Sequence, residues 1–226
     1  SSTLTDKGST LEELQSERGL SFDLGYDTFL DSLDLGLNIT YFRTEQKNPL
    51  FSNARTDWVV RNGTGRNTSE GVEFIGKWKP TNSKLGLNFG YTFTDSYDAN
   101  TCDADELGSY VDNECRLTGN KVATAKVRVP RHAVETNINY LISKNLNSSL
   151  RGKYIGETRD FGNTNDSWTD QILTDYFVFD LVNSYNLFDS YKIQLGINNV
   201  LDEKYQQAHE YSTMGRTFNF GIRKVY

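Results

Sequence analysis

The sequence has no apolar run long enough to cross a bilayer as a helix. The longest uninterrupted one is Tyr176-Phe177-Val178-Phe179, and a spanning helix needs roughly 20 apolar residues. It has no excess of positive charge. Lys and Arg number 24 against 30 Asp and Glu, a formal net charge of −6, which argues against a general nucleic-acid binder. Apolar residues are few, at 36%, low for a packed soluble domain. Pro (3), Cys (2) and Met (1) are scarce. Catalytic signatures are missing: there is no Gly-x-Ser-x-Gly, no His-Glu-x-x-His and no P-loop. With no such constellation, an enzyme is not expected and no catalytic residue is assigned. The opening Ser1-Ser2-Thr3-Leu4-Thr5-Asp6 lacks the basic region and apolar stretch of a signal peptide. A processed chain or a piece of one is therefore expected.

What is present is an unusual mixture. The chain is polar on average, yet it carries 13 Tyr, 13 Phe and 3 Trp in 226 residues, too many aromatics for a disordered chain. Apolar residues recur with period two. Leu20, Phe22, Leu24 and Tyr26 alternate with polar or small residues, as do Leu33, Leu35, Leu37, Ile39 and Tyr41. The pattern repeats through Val72, Phe74 and Trp78, then Leu85 to Phe93, Val134 to Tyr140, and Leu150 with Tyr154. It ends with Phe177 to Tyr185, Ile193 to Ile197, and Phe218 to Tyr226. Side chains alternate across a strand, so each segment has one apolar and one polar face. The spacing predicts an all-β chain of nine strands, with weak helical character confined to residues 10–17.

Alternation alone fits a soluble antiparallel sheet as well. The connections separate the two readings. Those at 27–32, 80–83, 143–147 and 186–190 are short, and those at 43–69, 95–127, 160–172 and 202–214 are long. Transmembrane barrels have this asymmetry, with tight periplasmic turns and long extracellular loops. Strands of about ten residues suit a tilted span. Aromatics gather at strand ends: Tyr26, Phe29, Trp78, Tyr185 and Tyr191 near short turns, and Tyr41, Phe42, Tyr91, Phe93 and Tyr205 near long loops. Such girdles mark the two lipid–water interfaces. The alternatives are a passive porin-like barrel, and a soluble β-sandwich binding module whose aromatics are core.

Several motifs, in order, resemble TonB-dependent outer-membrane receptors, a family that includes cobalamin and siderophore receptors. Ser69-Glu70-Gly71-Val72-Glu73-Phe74 resembles their mid-barrel Gly-x-Glu strand. Val129-Pro130-Arg131-His132 resembles the Pro-Arg segment opening a later strand, and Tyr176 to Tyr185, with Asp180 inside, the strand two before the end. Asn199-Val200-Leu201-Asp202-Glu203-Lys204-Tyr205 is similar to the run closing the penultimate strand, and Gly215-Arg216-Thr217-Phe218 to the final one. The resemblance implies that residues 1–226 are the C-terminal part of such a barrel, about nine strands of 22, with the plug domain absent. It implies an outer-membrane location and active transport of a metal chelate, cobalamin or a ferric siderophore. Residues 211–216 look most like a cobalamin receptor, with siderophores close behind. Implied partners are outer-membrane lipid, the remainder of the receptor, and a TonB-type energy-coupling protein reached through that remainder. No resident cofactor is implied.

In such a receptor, ligand contacts would sit on the long loops, since loops on a rigid scaffold carry function. The candidates are Phe51, Arg55, Trp58, Tyr97, Tyr110, Arg159, Phe161, Trp168, Tyr211 and Met214. Each could instead pack between loops. Arg216 is open to a structural role, and His132 to an interfacial one. Cys102 and Cys115 share the longest loop, where an exported chain favours a disulfide, worth on the order of 3 kcal/mol by loop entropy. The remaining ligands for metal binding are remote, His132 and His209 included. The same loop is rich in Asp and Glu, from Asp95 to Glu114. It has no EF-hand spacing, so a solvated acidic loop is favoured over a Ca²⁺ site. The Asn-x-Ser/Thr matches at Asn38, Asn62, Asn67 and Asn147 are chance in a bacterial barrel.

Overall fold

A computed structural model describes residues 14–52, 60–62, 66–99, 116–118, 121–164, 167–188 and 190–224. Nine long strands follow one another in chain order, each hydrogen-bonded to its sequence neighbours in one antiparallel sheet. They are β1 (Arg18–Leu30), β2 (Leu35–Lys47), β3 (Arg66–Trp78), β4 (Leu85–Ala99) and β5 (His132–Leu141). Then follow β6 (Leu146–Ile155), β7 (Tyr176–Leu187), β8 (Tyr191–Asn198) and β9 (Thr217–Lys224). Hairpin order suits the sequence, since every second connection is a few residues long.

The register sorts side chains into rows across the sheet. Leu87, Ile138, Leu150, Leu181, Ile197 and Phe218 form one unbroken apolar row across β4 to β9. The adjacent row on the opposite face is Asn88, Asn137, Arg151 and Asp180. Nothing among the described residues covers the apolar face: Phe218 is 75% exposed, Phe220 66% and Ile222 62%. Fully buried apolar side chains are nearly absent among the described residues, with Leu173 and Tyr176 the buried pair. A sandwich would bury this face against a second sheet. A surface of this extent needs an apolar solvent, and lipid supplies one.

The short connections are tighter than the alternation suggests. β1 continues through Leu30, inside the expected 27–32 turn, and a single 3₁₀ turn, Asp31–Leu33, leads to Asp34 in the left-handed region at φ 49°. Asn82 (φ 64°) and Phe188 (φ 51°) make equivalent reversals. Residues 14–17 are irregular rather than helical.

The long connections contain strands of their own. Leu50–Ser52 pairs with Val60–Asn62, and Arg116–Thr118 with Lys121–Ala125. Thr158–Thr164 pairs with Ser167–Leu173 over seven residues each, and Gln206–Ala208 pairs with Tyr211–Ser212. Short, and with apolar and polar residues mixed along them, these hairpins show no clear period-two signal.

The chain divides into two compact units, Ser1–Ser21, Thr44–Thr68 and Tyr97–Thr124 in one, and Phe22–Arg43, Ser69–Ser96 and Ala125–Tyr226 in the other. In the first, Asn62 ties three segments: its amide donates to the carbonyls of Gln15 (2.8 Å) and Asn48 (2.9 Å) and accepts from the Gln15 N–H (2.7 Å). Arg66 pairs with Glu45 at 2.9 Å.

In the second unit, Gly71 shows why its motif needs glycine. A Cβ there would overlap the Phe93 carbonyl oxygen and meet the Phe42 ring at 2.7 Å. Gly71→Leu is expected to cost about 1–3 kcal/mol by overpacking and to lower the yield of folded barrel. The fraction that migrates differently in unboiled and boiled samples on SDS gels reads it.

Candidate functional site

The polar face of the second unit holds an open cavity of about 870 Å³. Alternation on four adjacent strands builds its wall: Asn88 and Gly90 on β4, Glu135 and Asn137 on β5, Arg151 and Lys153 on β6, and Tyr176, Val178 and Asp180 on β7. Gly90 keeps that wall open beside Glu135, its direct partner. Arg151 lies directly opposite Asp180, and Lys153 opposite Glu135. Among the described residues neither cation forms an ion pair. Asp180 instead accepts the backbone N–H of Asn199 at 2.8 Å. The cationic groups are left to face the cavity.

The connection after β8 supplies the rim through a set of local locks. Asn199 (φ 52°) and Asp202 (φ 58°) take the left-handed conformation that Asn and Asp tolerate. The Asn199 side chain accepts the Glu203 N–H (2.8 Å) and donates to the Glu203 carbonyl (2.9 Å). Asp202 accepts the N–H of Arg216 at 2.7 Å, and a Cβ on Gly215 would stand 2.6 Å from the same carboxylate oxygen. Thr213 donates its hydroxyl to the Tyr205 carbonyl at 2.8 Å, and Tyr205 stacks on Tyr176 with ring centroids 4.2 Å apart. Met214, held between these locks, is 81% exposed and borders the cavity.

A second hub joins three connections in this unit. Asp160 is 1% exposed; its carboxylate accepts Arg128 Nε at 2.9 Å and the His209 N–H at 2.7 Å. Arg128, at φ 60°, donates its own N–H to the Arg159 carbonyl at 2.8 Å. The Arg159 guanidinium donates to the carbonyl of Ala125 at 3.1 Å. A further cavity of about 700 Å³ lies beside this hub, bordered by Gln171, Leu173, Lys204 and His209.

These positions sort the loop residues singled out in the sequence. Met214 reaches the cavity, and Tyr211 is 73% exposed on its small hairpin. Arg159 is 6% exposed, with its guanidinium engaged at the loop base rather than open to a ligand. Tyr97 is half-buried near the end of β4, in the first unit. Phe51, Phe161 and Trp168 lie in the short paired strands, opposite Arg61, Asp170 and Asn163. Arg55, Trp58, Tyr110, Cys102 and Cys115 lie outside the described residues, as does most of the acidic loop. Asp95 within it pairs with Arg131 at 3.1 Å. His132 sits at the outer end of the apolar face, 3.0 Å from the Tyr91 hydroxyl and with its ring 5.4 Å from that of Phe93. Arg151, Lys153 and Tyr176 line the cavity and were not singled out from the sequence; their polar-face positions on the alternating strands were the signal.

The comparisons with known proteins fit this geometry. Residues 4–200 match the family model described as TonB dependent receptor-like, beta-barrel. The chain belongs to the TonB-dependent receptor β-barrel family. Membership places it in the bacterial outer membrane, with its apolar face to lipid. Among curated proteins no match is found. Similar solved structures include the ferric-catecholate import receptor Fiu of Escherichia coli K12, at 20% identity and a TM-score of 0.70 over 97% of this chain and 30% of that one. The ferripyoverdine receptor of Pseudomonas aeruginosa, bound to ferripyoverdine, matches at 17% identity and 0.68 over 93% and 27%. The siderophore receptor PirA of Acinetobacter baumannii matches at 15% and 0.66 over 93% and 32%. At these identities the likeness is one of fold, and the chain spans about a third of each receptor. For the TonB-dependent barrel the motif residues now have local roles. Gly71 admits a close approach, Asn199 and Asp202 fold the outer connection, and Gly215-Arg216 docks on Asp202.

Proposed function

We propose that this chain forms wall and outer loops of a receptor that captures a ferric siderophore or similar metal chelate and passes it inward. The cavity on the polar face carries the reading: Arg151 and Lys153, without an ion pair among the described residues, stand beside Tyr176, Tyr205 and Met214 and suit an anionic, partly apolar organic chelate. Charged and aromatic groups converging in one concavity are the usual make-up of such a site. The exposed Tyr211 is a further contact, and Phe51, Arg55, Trp58, Tyr97, Tyr110, Phe161 and Trp168 remain candidates on the outer connections. The remainder of the receptor would supply the plug and the contact to a TonB-type energy-coupling protein. A cobalamin cargo rests on the likeness of residues 211–216, and the docking of that segment on Asp202 and Tyr205 accounts for those residues without a cargo.

The test is binding of labelled ferric siderophores, with cobalamin in parallel, to outer membranes carrying the receptor. Arg151→Glu with Lys153→Glu is expected to weaken siderophore binding at least tenfold while folded barrel remains. Equal binding by the variant would overturn this site. Steady ion conductance without energy-dependent uptake would favour the porin reading. We also propose that Cys102 and Cys115 are paired. Thiol labelling of the denatured receptor is expected to be absent until a reductant is added.

A further inference from the structure

The lipid face is not apolar throughout. Toward its short-turn end, one cross-strand row runs Leu85, Tyr140, Ser148, Asn183 and Leu195 across β4 to β8. Three polar side chains thus stand side by side. The apolar row of Ile138, Leu150 and Leu181 lies two residues farther from the turns. Tyr140 is 46% exposed, and Ser148 and Asn183 are half-buried. Among the described residues, none of the three side chains has a hydrogen-bond partner. An amide held against hydrocarbon without a partner is costly, so a polar group on a membrane-facing surface points to a contact that meets it.

The depth of the row narrows what that contact can be. Tyr140 is the last residue but one of β5, and Ser148 is the third of β6. At about 3.3 Å per residue both lie within about 10 Å of the turn that joins their strands. Headgroups give way to acyl chains at this level. Lys144 stands in that turn, which Ser143 closes by accepting the Leu146 N–H at its hydroxyl, 3.2 Å away.

We propose that Tyr140, Ser148 and Asn183 seat one glycerophospholipid. Its ester and phosphate oxygens accept from the Asn183 amide and the two hydroxyls. Its phosphate pairs with Lys144, and its acyl chains lie along Ile138, Leu150 and Leu181. The chemistry matches in kind, since Asn, Ser and Tyr each offer a donor and the oxygens of esters and phosphodiesters are acceptors. Adjacent strands are about 4.8 Å apart, so the three side chains span about 10 Å, comparable to one two-chained lipid. A second protein would have to place its own polar side chain at this one row of an otherwise largely apolar face. The inference needs the membrane placement of the wall and no particular cargo.

Native mass spectrometry of the full receptor, purified in mild detergent and titrated with phosphatidylglycerol, tests it. One lipid is expected to stay bound at activation energies that strip the others. Asn183→Leu with Ser148→Ala should cut that occupancy several-fold, with heat-dependent gel mobility showing that the barrel is folded. Should the pair not fold, Ser148→Ala alone carries the comparison. Leu195→Val, in the same row, should leave occupancy unchanged. Lys144→Gln should weaken it and remove its dependence on salt. In vesicles, phosphatidylglycerol with a photoreactive headgroup should label peptides holding residues 137–150 and 181–187 above all others. Equal occupancy in the variants, or labelling spread evenly along the wall, overturns the inference. Displacement of the lipid by inorganic phosphate alone or by lipopolysaccharide also overturns it, because the row would then recognise a different anion.

Discussion

Leu150→Arg is expected to destabilise the folded barrel by about 2–4 kcal/mol, the cost of Arg on the lipid face near the bilayer midplane. Its neighbour Ser149→Arg should cost only about 1 kcal/mol, the net worth of the one side-chain hydrogen bond it removes. Leu150 lies in the continuous apolar row from Leu87 to Phe218, with Ile138 and Leu181 on either side. Ser149 points to the other face, where its hydroxyl donates to the Asn137 side chain at 2.7 Å. One residue of displacement along β6 thus exchanges lipid for the polar interior. Unfolding by urea in lipid vesicles, read by intrinsic fluorescence and by heat-dependent gel mobility, measures both variants. Equal costs at the two positions would contradict the assignment of faces.

Asp160→Ala is expected to cost about 2–3 kcal/mol at the loop base. It removes a buried charged acceptor and leaves the His209 N–H and Arg128 without it. Arg128 is half-exposed and can turn to water, which holds the figure below that of a fully buried ion pair. Asp160→Asn should cost less, since its one oxygen can still serve one of the two donors. The two losses should appear as faster protease cleavage in residues 125–131, 158–173 and 199–216, with the strands below intact. Because Tyr205 and Met214 stand on the third of those segments, chelate affinity should fall with the same rank order, Ala below Asn. Unchanged cleavage in all three segments would show that the carboxylate does not join them.

The lipid-facing half of the fold was legible because a bilayer imposes a simple rule on sequence. Every second residue from Leu85 to Phe93 and Phe218 to Ile222, and from Val134 to Tyr140 all but Thr136, is apolar or aromatic, and the register puts all of them on one face. Turn lengths gave the order of strands, and five short motifs gave the family. The hairpin at Thr158–Thr164 and Ser167–Leu173 was not legible, since Phe161, Trp168 and Ile172 are interrupted on their face by Arg159, Asn163 and Asp170 and set no clear period. The loop candidates were chosen for exposure and chemistry. Met214 lies at the cavity rim, and Arg159 has its guanidinium engaged within the loop base.

By itself, then, the sequence determined an antiparallel membrane wall of nine strands, which face of each strand meets lipid, and the family to which it belongs. Only the tertiary structure decided where chemistry is concentrated. It brought Arg151, Asp180 and Asn199 together across β6, β7 and the next connection, with Asp180 accepting the Asn199 N–H, and set Arg151 and Lys153 along one cavity wall, where among the described residues neither forms an ion pair. It also closed three connections on Asp160. Periodicity reports the solvent each residue meets, one strand at a time. Partnerships between strands depend on register and on which donors the folded chain brings within reach of a carboxylate, and those are properties of the folded sheet.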